Sequence, residues 1–175
     1  MSVLVLVGPP ASGKSTVGQA LAARLGVPFI DVDAAIEAST GMTIGEIFVD
    51  LGEPEFRRLE REATLELVQR DAVVSLGGGA VMSPEIRAAL AGHLVCWLQV
   101  SVVHATRRVG MNAMRPLLLG DVRANLQKLL TEREPFYREV ADITIDTTNL
   151  KADEVVADLA RRLGADATGQ EQDKA

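Results

Sequence analysis

A glycine-rich segment, Gly8 to Ser15 (GPPASGKS), lies between an apolar run and a stretch with helical periodicity. Its spacing, G-x-x-x-x-G-K-[ST], is that of a P-loop. The preceding run, Val3 to Val7, contains only Val and Leu and is typical of a strand buried on both faces. From Ser15 to Leu25, apolar residues recur with the period of an α-helix. A strand, a glycine turn and a helix in this order predict a concave row of backbone N–H groups that binds phosphate.

The polar groups of this P-loop have expected ligands. The loop amides and the ammonium group of Lys14 bind phosphate, and the hydroxyl of Ser15 can ligate Mg²⁺. Ala11 stands where many P-loops have a further glycine, so we expect a slightly altered loop conformation with function retained. The expected nucleotide-binding residues of the loop are Ala11, Ser12, Gly13, Lys14, Ser15 and Thr16.

The composition limits the kind of protein that the chain can be. It has 175 residues, which suits one domain with its own core. Apolar residues make up 47% but aromatic residues only 3%, so the core must be aliphatic. The single cysteine, Cys96, lies in an apolar run and is expected to pack there. The net charge of −6 argues against nucleic acid as a partner.

The sequence shows no pattern of a targeting or membrane segment. The first apolar run lacks the basic residues that begin a signal peptide, and it leads straight into the P-loop. No apolar stretch reaches the roughly 18 residues needed to span a bilayer. We therefore expect a cytoplasmic protein with no membrane partner.

Further apolar runs with strand character alternate with helical stretches, at 27–31, 72–76, 93–100 and 140–146. This alternation predicts a largely parallel sheet with helices on both faces. Ligands of such sheets gather at the carboxyl ends of the strands. The segments that follow strands should therefore meet along one edge, and they are the P-loop, Asp31 with Asp33, Gly77 to Gly79, and 147–151.

Two helix boundaries follow from capping and proline rules. Asp33 is a favoured N-cap residue for a helix from Ala34 to Ser39. Pro135 should kink or shorten a helix that begins at Asp121 or Val122 and ends at Arg138.

Two groups at strand ends are candidates for chemistry. Asp31 and Asp33 could serve a Mg²⁺ shell beside Ser15 and a substrate hydroxyl. Alternatively, Asp33 is only an N-cap and Asp31 only a loop residue. Gly77 to Gly79 would let a ligand approach the backbone closely, or would form only a tight turn. The adjoining P-loop favours a functional role for the aspartates.

The sequence assigns two arginines only by their surroundings. Glu60 lies three residues after Arg57 and could fix its guanidinium group, yet periodicity does not separate Arg57 from its solvated neighbours. Arg115 lies between Gly110 and Gly120, where a mobile loop could close over a transferring phosphate, or where the arginine could be incidental.

The remaining basic candidates have a plainer interpretation beside the functional one. Arg133 could form only a surface ion pair with a neighbouring glutamate. Arg107 and Arg108 could stack on a base or simply be solvated. His93 and His104 show no partner pattern, and we expect both to be structural.

Taken together, these ordered motifs resemble the shikimate kinases, which belong to the nucleoside-monophosphate-kinase-like P-loop group. The resemblance runs from about Val3 to Leu163. It is carried by the P-loop, 31–33 (DVD), 52–53 (GE), 55–60 (EFRRLE), 76–80 (LGGGA), 115–118 (RPLL), and Arg133 with Pro135 and Tyr137.

The resemblance implies a three-layer α/β/α fold, the P-loop kinase fold, with a five-stranded parallel sheet of order 2-3-1-4-5. A single kinase domain would cover 1–164, with a shikimate-binding helical region at about 33–61 and a mobile lid at about 110–121. The tail, 165–175, loses apolar content and is expected to be disordered.

The same resemblance implies an activity. This is the ATP-dependent phosphorylation of the 3-hydroxyl of shikimate to shikimate 3-phosphate, in aromatic amino-acid (chorismate) biosynthesis. The implied ligands are ATP, Mg²⁺ and shikimate, and the chain is expected to act as a monomer.

The resemblance also implies a role for each group near the transferred phosphate. Lys14 would neutralise charge on the β- and γ-phosphates, and Arg115 would be the lid arginine on the γ-phosphate. Ser15 would hold Mg²⁺, with Asp31 bound to the ion through water. Asp33 would hydrogen-bond the ring hydroxyls of shikimate and act as the base or orient it. The implied catalytic residues are Lys14, Asp33 and Arg115.

Substrate and nucleotide contacts are implied in the same way. Arg57 and Arg133 would bind the carboxylate of shikimate, because a planar carboxylate suits paired guanidinium groups. The substrate site would be completed by Gly77, Gly78 and Gly79. Arg108 would face the adenine, helped by the loop 147–151, in which Leu150 stands where close relatives offer the nucleotide a basic group.

Two other functions are considered. A gluconate-type or other small-molecule kinase of the same group is disfavoured by the arginine pair together with the triple glycine. A nucleotide-responsive binding module without catalysis is disfavoured because Lys14, Ser15, Asp33 and Arg115 occur together.

Overall fold

The computed structural model of the chain describes residues 1–111 and 121–164. Its strands are β1 (Leu4–Val7), β2 (Phe29–Asp31), β3 (Val73–Ser75), β4 (Val95–Gln99) and β5 (Ile143–Asp146). Its helices are α1 (Lys14–Leu25), α2 (Val32–Thr40), α3 (Ile44–Glu46), α4 (Glu53–Leu67), α5 (Pro84–Leu90), α6 (Val102–Met111), α7 (Val122–Val140) and α8 (Ala152–Arg162). A π-helical turn follows α3 at Ile47–Leu51, and a 3₁₀ turn precedes α5 at Ala80–Met82. Most of the expected lid, 112–120, and the expected tail, 165–175, lie outside the described residues.

The strands form one parallel sheet of order β2-β3-β1-β4-β5, so the predicted order is confirmed. Strand β1 is central and pairs with β3 on one side and with β4 on the other. This position explains its unbroken apolar run, because a central strand is covered by helices on both faces. Strands β2 to β5 are each shorter than the apolar run that predicted them.

The side chains of β1 alternate between two halves of the core. Val5 and Val7 face an apolar cluster that includes residues of α2, α4, α5 and α7. Leu4 and Leu6 face a second cluster, built mainly with α1 and α8. Because successive side chains of a strand point to opposite faces of the sheet, this division gives the three layers that were predicted.

Helix α2 begins two residues earlier than the capping rules predicted. The side chain of Asp31 accepts a hydrogen bond from the backbone N–H of Ala34, at 3.3 Å, so Asp31 is the N-cap residue. Asp33 lies within the first turn, and the prediction that it caps the helix is wrong. The reason is that Asp31 still has extended backbone angles (φ −100°, ψ 119°), as a residue that leaves a strand and caps a helix requires.

Helix α7 runs across Pro135 and ends only at Val140, so of the two predicted effects of the proline, a kink or a shorter helix, the shortening does not occur. Pro135 has no N–H to donate to the preceding turn. The helix nevertheless continues because its apolar face is anchored on both sides of the proline, where Leu126 is 0% and Tyr137 1% exposed. Packing of an apolar face outweighs local propensity in most protein helices.

The residues that were expected to be structural are buried or form hydrogen bonds within the chain. Cys96 is fully buried in β4, and this burial raises the pKa of its thiol to about 12, which leaves it unreactive. The ring of His93 hydrogen-bonds the hydroxyl of Ser2 at 2.7 Å, and the ring of His104 hydrogen-bonds that of Ser101 at 2.8 Å. Within the described ranges, no helix combines the length and apolarity that crossing a membrane requires.

Candidate active site

The carboxyl ends of β1, β2 and β3 open onto a cavity of about 890 Å³. Its charged lining comes from separate parts of the chain. Asp33 lies in the first turn of α2, Arg57 and Glu60 come from α4, and Arg133 comes from α7. The glycines 77–79, which follow β3, also line the cavity. Of the four strand-end segments that were predicted to meet, the P-loop, Asp31 with Asp33 and 77–79 contribute to this cavity, whereas 147–151 contributes to the second cavity described below.

Arg57 is fixed at this cavity by an ion pair. Its Nη1 donates to Oε2 of Glu60 at 2.6 Å, and Nη2 lies 3.5 Å from Oε1 of Glu53. Glu60 is only 2% exposed, so the pair is anchored on the buried side of α4. The next residue, Arg58, points to solvent and pairs with Glu55 and Glu62. The structure thus separates two adjacent arginines that periodicity did not distinguish.

Arg133 also belongs to the cavity and not to the surface. It is 5% exposed, while the neighbouring glutamates pair with other residues of α7. Glu132 lies 3.9 Å from Lys128, and Glu134 lies 2.6 Å from Arg138. The surface ion pair that was one interpretation of Arg133 is therefore not formed. Arg57 and Arg133 bring two guanidinium groups to one cavity, which suits a carboxylate ligand.

The segment 77–79 is glycine because side chains of the site fill the space next to its backbone. A Cβ atom at Gly77 would lie 2.6 Å from Oε1 of Glu60 and 2.8 Å from Oδ1 of Asp33. Real Cβ atoms do not approach other heavy atoms so closely. The backbone at this residue must therefore be bare if both carboxylates are to keep their places.

The other two glycines face the two arginines. A Cβ atom at Gly78 would lie 3.1 Å from Cδ of Pro10 and 3.3 Å from Nη1 of Arg133. At Gly79 it would overlap the guanidinium group of Arg57. The sequence predicted that a ligand would approach the backbone of these glycines closely. On the side where a Cβ atom would lie, charged side chains of the site make this close approach.

Tyr137 is a site residue that reasoning from the residues alone did not single out, although it formed part of the family resemblance. Its hydroxyl donates to the carbonyl of Gly78 at 2.5 Å, and its ring stacks on Trp97 with centroids 5.7 Å apart. Burial raises the pKa of this hydroxyl to about 12, against the opposing effect of Arg133. The spacing in the sequence could have indicated Tyr137, because residues four apart, such as Arg133 and Tyr137, share one face of a helix.

Glu60 is the most deeply buried carboxyl group of the cavity wall. Burial raises its pKa above the ordinary value of 4.5, while the positive charge of Arg57 partly opposes the rise. The negative charge of Asp33 adds to it, and that of Arg133 opposes it. The charge on Glu60 therefore depends on its arginine partner.

This raised pKa predicts a pH effect on stability. The folded chain holds the proton of Glu60 more tightly than the unfolded chain does. The stabilising contribution is complete below pH 4.5 and is lost as the pH rises through the higher pKa of the folded state. Glu60→Gln has no such proton. We expect the free energy of unfolding of the wild type, relative to this variant, to fall as the pH rises.

Urea unfolding of both proteins between about pH 4.5 and about pH 8 measures this difference. Two parallel curves would contradict the prediction. Glu139→Gln is a control for the loss of a carboxylate at the surface, because Glu139 is more than half exposed.

A second cavity, of about 380 Å³, lies over the P-loop. Nζ of Lys14 donates to the carbonyls of Gly8 and Pro9, at 2.8 and 2.9 Å. The hydroxyl of Ser15 donates to Oδ2 of Asp31 at 2.8 Å. Ammonium, hydroxyl and carboxylate groups are therefore concentrated at the start of α1, where the helix dipole favours phosphate.

The two residues that were expected near the adenine of the nucleotide also line this second cavity. Arg108 donates from Nη1 to the carbonyl of Ala11 at 3.0 Å, and the side chain of Leu150 lies at the rim with 39% exposure. Arg107, which precedes Arg108 in the chain, is exposed and does not line this cavity. Arg115, expected on the γ-phosphate, lies outside the described residues.

The two cavities adjoin at the P-loop. Pro10 lines the larger cavity, and the next residue, Ala11, lines the smaller one. Asp31 lines the larger and is hydrogen-bonded to Ser15, which lines the smaller. A ligand with a carboxylate and a ligand with phosphates would therefore meet across the P-loop. This arrangement suits the transfer of a phosphoryl group between them.

Several comparisons with known proteins place the chain within a known family. The family model of shikimate kinase matches residues 10–164. A shikimate kinase of Salinispora arenicola is 50% identical over 164 residues, which cover 93% of this chain and 98% of that protein. A shikimate kinase of Mycobacterium avium is 52% identical over 163 residues, covering 92% of this chain and 93% of the relative.

Solved structures agree with this assignment. The shikimate kinase from Acinetobacter baumannii, in complex with shikimate, superposes with a TM-score of 0.88 at 37% identity and covers 94% of both chains. A gluconokinase from Sinorhizobium meliloti 1021 reaches a TM-score of 0.55 at 20% identity, with 92% of this chain and 90% of that chain covered. The second likeness shows the fold alone. The chain belongs to the shikimate kinase family and is a kinase.

Proposed function

We propose that this chain transfers the γ-phosphoryl group of ATP to the 3-hydroxyl of shikimate, forming shikimate 3-phosphate for aromatic amino-acid biosynthesis. One observation carries the proposal. A cavity lined by Asp33 and other carboxylates and by two arginines adjoins a P-loop cavity, so acceptor and donor sites share one boundary. The complex of the related Acinetobacter baumannii enzyme with shikimate supports the choice of acceptor.

The acceptor is held by groups of opposite charge. Arg57 and Arg133 bind the carboxylate of shikimate, and bidentate guanidinium contacts fix the plane of that group. Asp33 hydrogen-bonds the ring hydroxyls and takes the proton of the attacking hydroxyl, or orients that hydroxyl. It lies in the first turn of α2, beside Gly77, and lines the same cavity as the two arginines and Pro10 of the P-loop.

The donor is held by the P-loop. The amides of the loop and Lys14 neutralise the charge of the β- and γ-phosphates, which moves onto the β-phosphate as the bond to this leaving group breaks. Arg108 and Leu150 lie at the base side of the cavity. The planar guanidinium of Arg108 binds a backbone carbonyl through its edge and leaves its face for the adenine. Arg115, outside the described residues, is proposed as the arginine on the γ-phosphate.

Ser15 and Asp31 fit a magnesium ion. Their oxygen atoms lie 2.8 Å apart at the edge of the P-loop cavity, and Mg²⁺ prefers hard oxygen ligands with several waters kept. Bound there with ATP, Mg²⁺ would screen phosphate charge and orient the triphosphate. Asp31 keeps a second task in the fold, since it caps α2.

The catalytic unit is proposed to be one domain, 1–164, that acts as a monomer. Light scattering during size-exclusion chromatography tests this proposal. The cytoplasmic location stays a prediction.

A coupled ADP-release assay tests the proposed function. Shikimate and gluconate are offered in parallel at saturating ATP and Mg²⁺, with a reaction lacking any acceptor as the control. We expect ADP release above the control with shikimate and not with gluconate. Release with gluconate alone would point to the alternative kinase, and no release with shikimate would overturn the proposal.

Gly79→Ala should weaken the hold on shikimate. Its Cβ atom would overlap the guanidinium group of Arg57 and force that side chain away from the carboxylate position. The backbone at this residue has φ −100°, so alanine is not strained there. We expect the KM for shikimate to rise about tenfold, the size of one impaired charged hydrogen bond, with the KM for ATP unchanged. Steady-state kinetics with either substrate varied measures both, and an unaltered KM for shikimate would contradict the prediction.

A further inference from the structure

Ala11 has an unusual backbone conformation. Its φ angle is 63°, and among the described residues it is the non-glycine residue with a positive φ. A side chain with a Cβ atom resists this left-handed conformation sterically. Such a residue persists only where its surroundings hold it in place. The P-loop of this chain therefore needs support that a glycine at this position would not need.

Two side chains from distant parts of the chain bind the carbonyls at this place. Nη1 of Arg108 donates to the carbonyl of Ala11 at 3.0 Å, and the hydroxyl of Thr147 lies 3.2 Å from the carbonyl of Ser12. Thr147 is 3% exposed, and its hydroxyl hydrogen is shared with the carbonyl of Gln99 at 2.8 Å. Nη2 of Arg108 also donates to the carbonyl of Thr147 at 3.2 Å, which joins the two supports.

These contacts act on the amides that bind phosphate. In a trans peptide group, the C=O of one residue and the N–H of the next lie in one plane and point in opposite directions. A donor that holds the carbonyl of Ser12 therefore sets the direction of the N–H of Gly13. A donor on the carbonyl of Ala11 likewise sets the N–H of Ser12, which bonds the carbonyl of Pro9 at 3.3 Å and closes the turn.

We infer that Thr147 is a positioning residue for phosphate binding: together with Arg108 it holds the left-handed Ala11, and so aims the P-loop amides at the nucleotide. The loop after β5 therefore contributes to the phosphate-binding part of the site as well as to the part expected to hold the adenine. The inference rests on the proposed function only in taking ATP as the nucleotide.

The test compares Thr147→Val, which keeps the shape of the side chain and removes its hydroxyl, with Thr147→Ser, which keeps the hydroxyl. Calorimetry of ADP and ATP binding without shikimate is the first readout, and the KM for each substrate is the second. We expect nucleotide affinity to fall about five- to tenfold in Thr147→Val, as for one lost hydrogen bond. Thr147→Ser should bind like the wild type, and the KM for shikimate should not change.

A second substitution separates positioning from general damage. Ala11→Gly removes the resistance to the left-handed conformation, so it should restore the nucleotide affinity of Thr147→Val to within about twofold of the wild type. Thr131→Val is the matched control, because the hydroxyl of Thr131 donates to the carbonyl of Gln127 within α7 and the residue lines neither cavity. We expect its nucleotide affinity to be that of the wild type.

Each outcome decides the inference. Unchanged affinity in Thr147→Val, an equal loss in Thr131→Val, or no rescue by Ala11→Gly would overturn it. If the valine variant does not fold, as judged by circular dichroism, Thr147→Ala takes its place with the same expected results. Because nucleotide binding is measured without an acceptor, a failure of shikimate phosphorylation would leave this test intact.

Discussion

Asp33→Asn should lower kcat by about 10²- to 10⁴-fold, the range for the loss of a general base, while nucleotide affinity stays within about twofold. The carboxylate lies in the larger cavity, next to the bare backbone of Gly77. An amide of the same shape keeps the hydrogen bonds to ring hydroxyls in part, but it cannot accept the proton. The effect should therefore fall on turnover, with a smaller effect on the KM for shikimate.

Asp50→Asn is the control for this prediction. Asp50 lines the same cavity from the π-helical turn, is exposed, and has no assigned contact with the reacting hydroxyl. We expect its kcat to stay within about twofold of the wild type. Steady-state turnover and calorimetric nucleotide binding on both variants make the comparison. Retained turnover in Asp33→Asn would remove Asp33 from the chemical step.

Arg57→Ala should have two separate effects. The first is on shikimate, whose KM we expect to rise about 10- to 100-fold, corresponding to about 1.5–3 kcal/mol for a lost charged hydrogen bond. The second is on stability, because Glu60 loses its partner at 2.6 Å while remaining 2% exposed. We expect the free energy of unfolding to fall by about 1–3 kcal/mol at neutral pH, the cost of an unpaired buried group that can still take up a proton.

A double variant separates these two effects. Arg57→Ala combined with Glu60→Gln removes the unpaired charge, so stability should recover in part while the KM for shikimate stays high. Arg58→Ala is the matched control, since its guanidinium pairs only with exposed carboxylates, and such pairs contribute about 0–1 kcal/mol. Kinetics and urea unfolding measure both quantities. An unaltered KM for shikimate in Arg57→Ala would remove this arginine from the site.

Local pattern was enough for much of the fold. The run before the P-loop predicted a strand buried on both faces, and β1 is the central strand of the sheet. The alternation of apolar runs and helices predicted parallel strands, which places all strand-end segments at one edge. These predictions succeeded because they depend on periodicity and on the rules of parallel connection, both of which act on neighbouring residues. The strand order itself came from the family resemblance.

Local pattern was not enough to predict where helix α2 begins and where helix α7 ends. Asp31 and Asp33 both suit an N-cap, and only the extended backbone of Asp31 decided between them. Pro135 opposes a helix locally, yet the buried face of α7 carries the helix across it. In each case the deciding energy comes from atoms that are distant in sequence.

The sequence by itself determined the phosphate-binding loop, the parallel sheet behind it and the spacing that pairs Arg57 with Glu60. Only the tertiary structure decided that Arg133 is buried in the cavity, that the three glycines make room for the charged groups of the site, and that Arg108 and Thr147 support Ala11. The reason is physical. A loop or a helical spacing is fixed by a few adjacent residues, whereas burial and close approach depend on which segments the fold brings together.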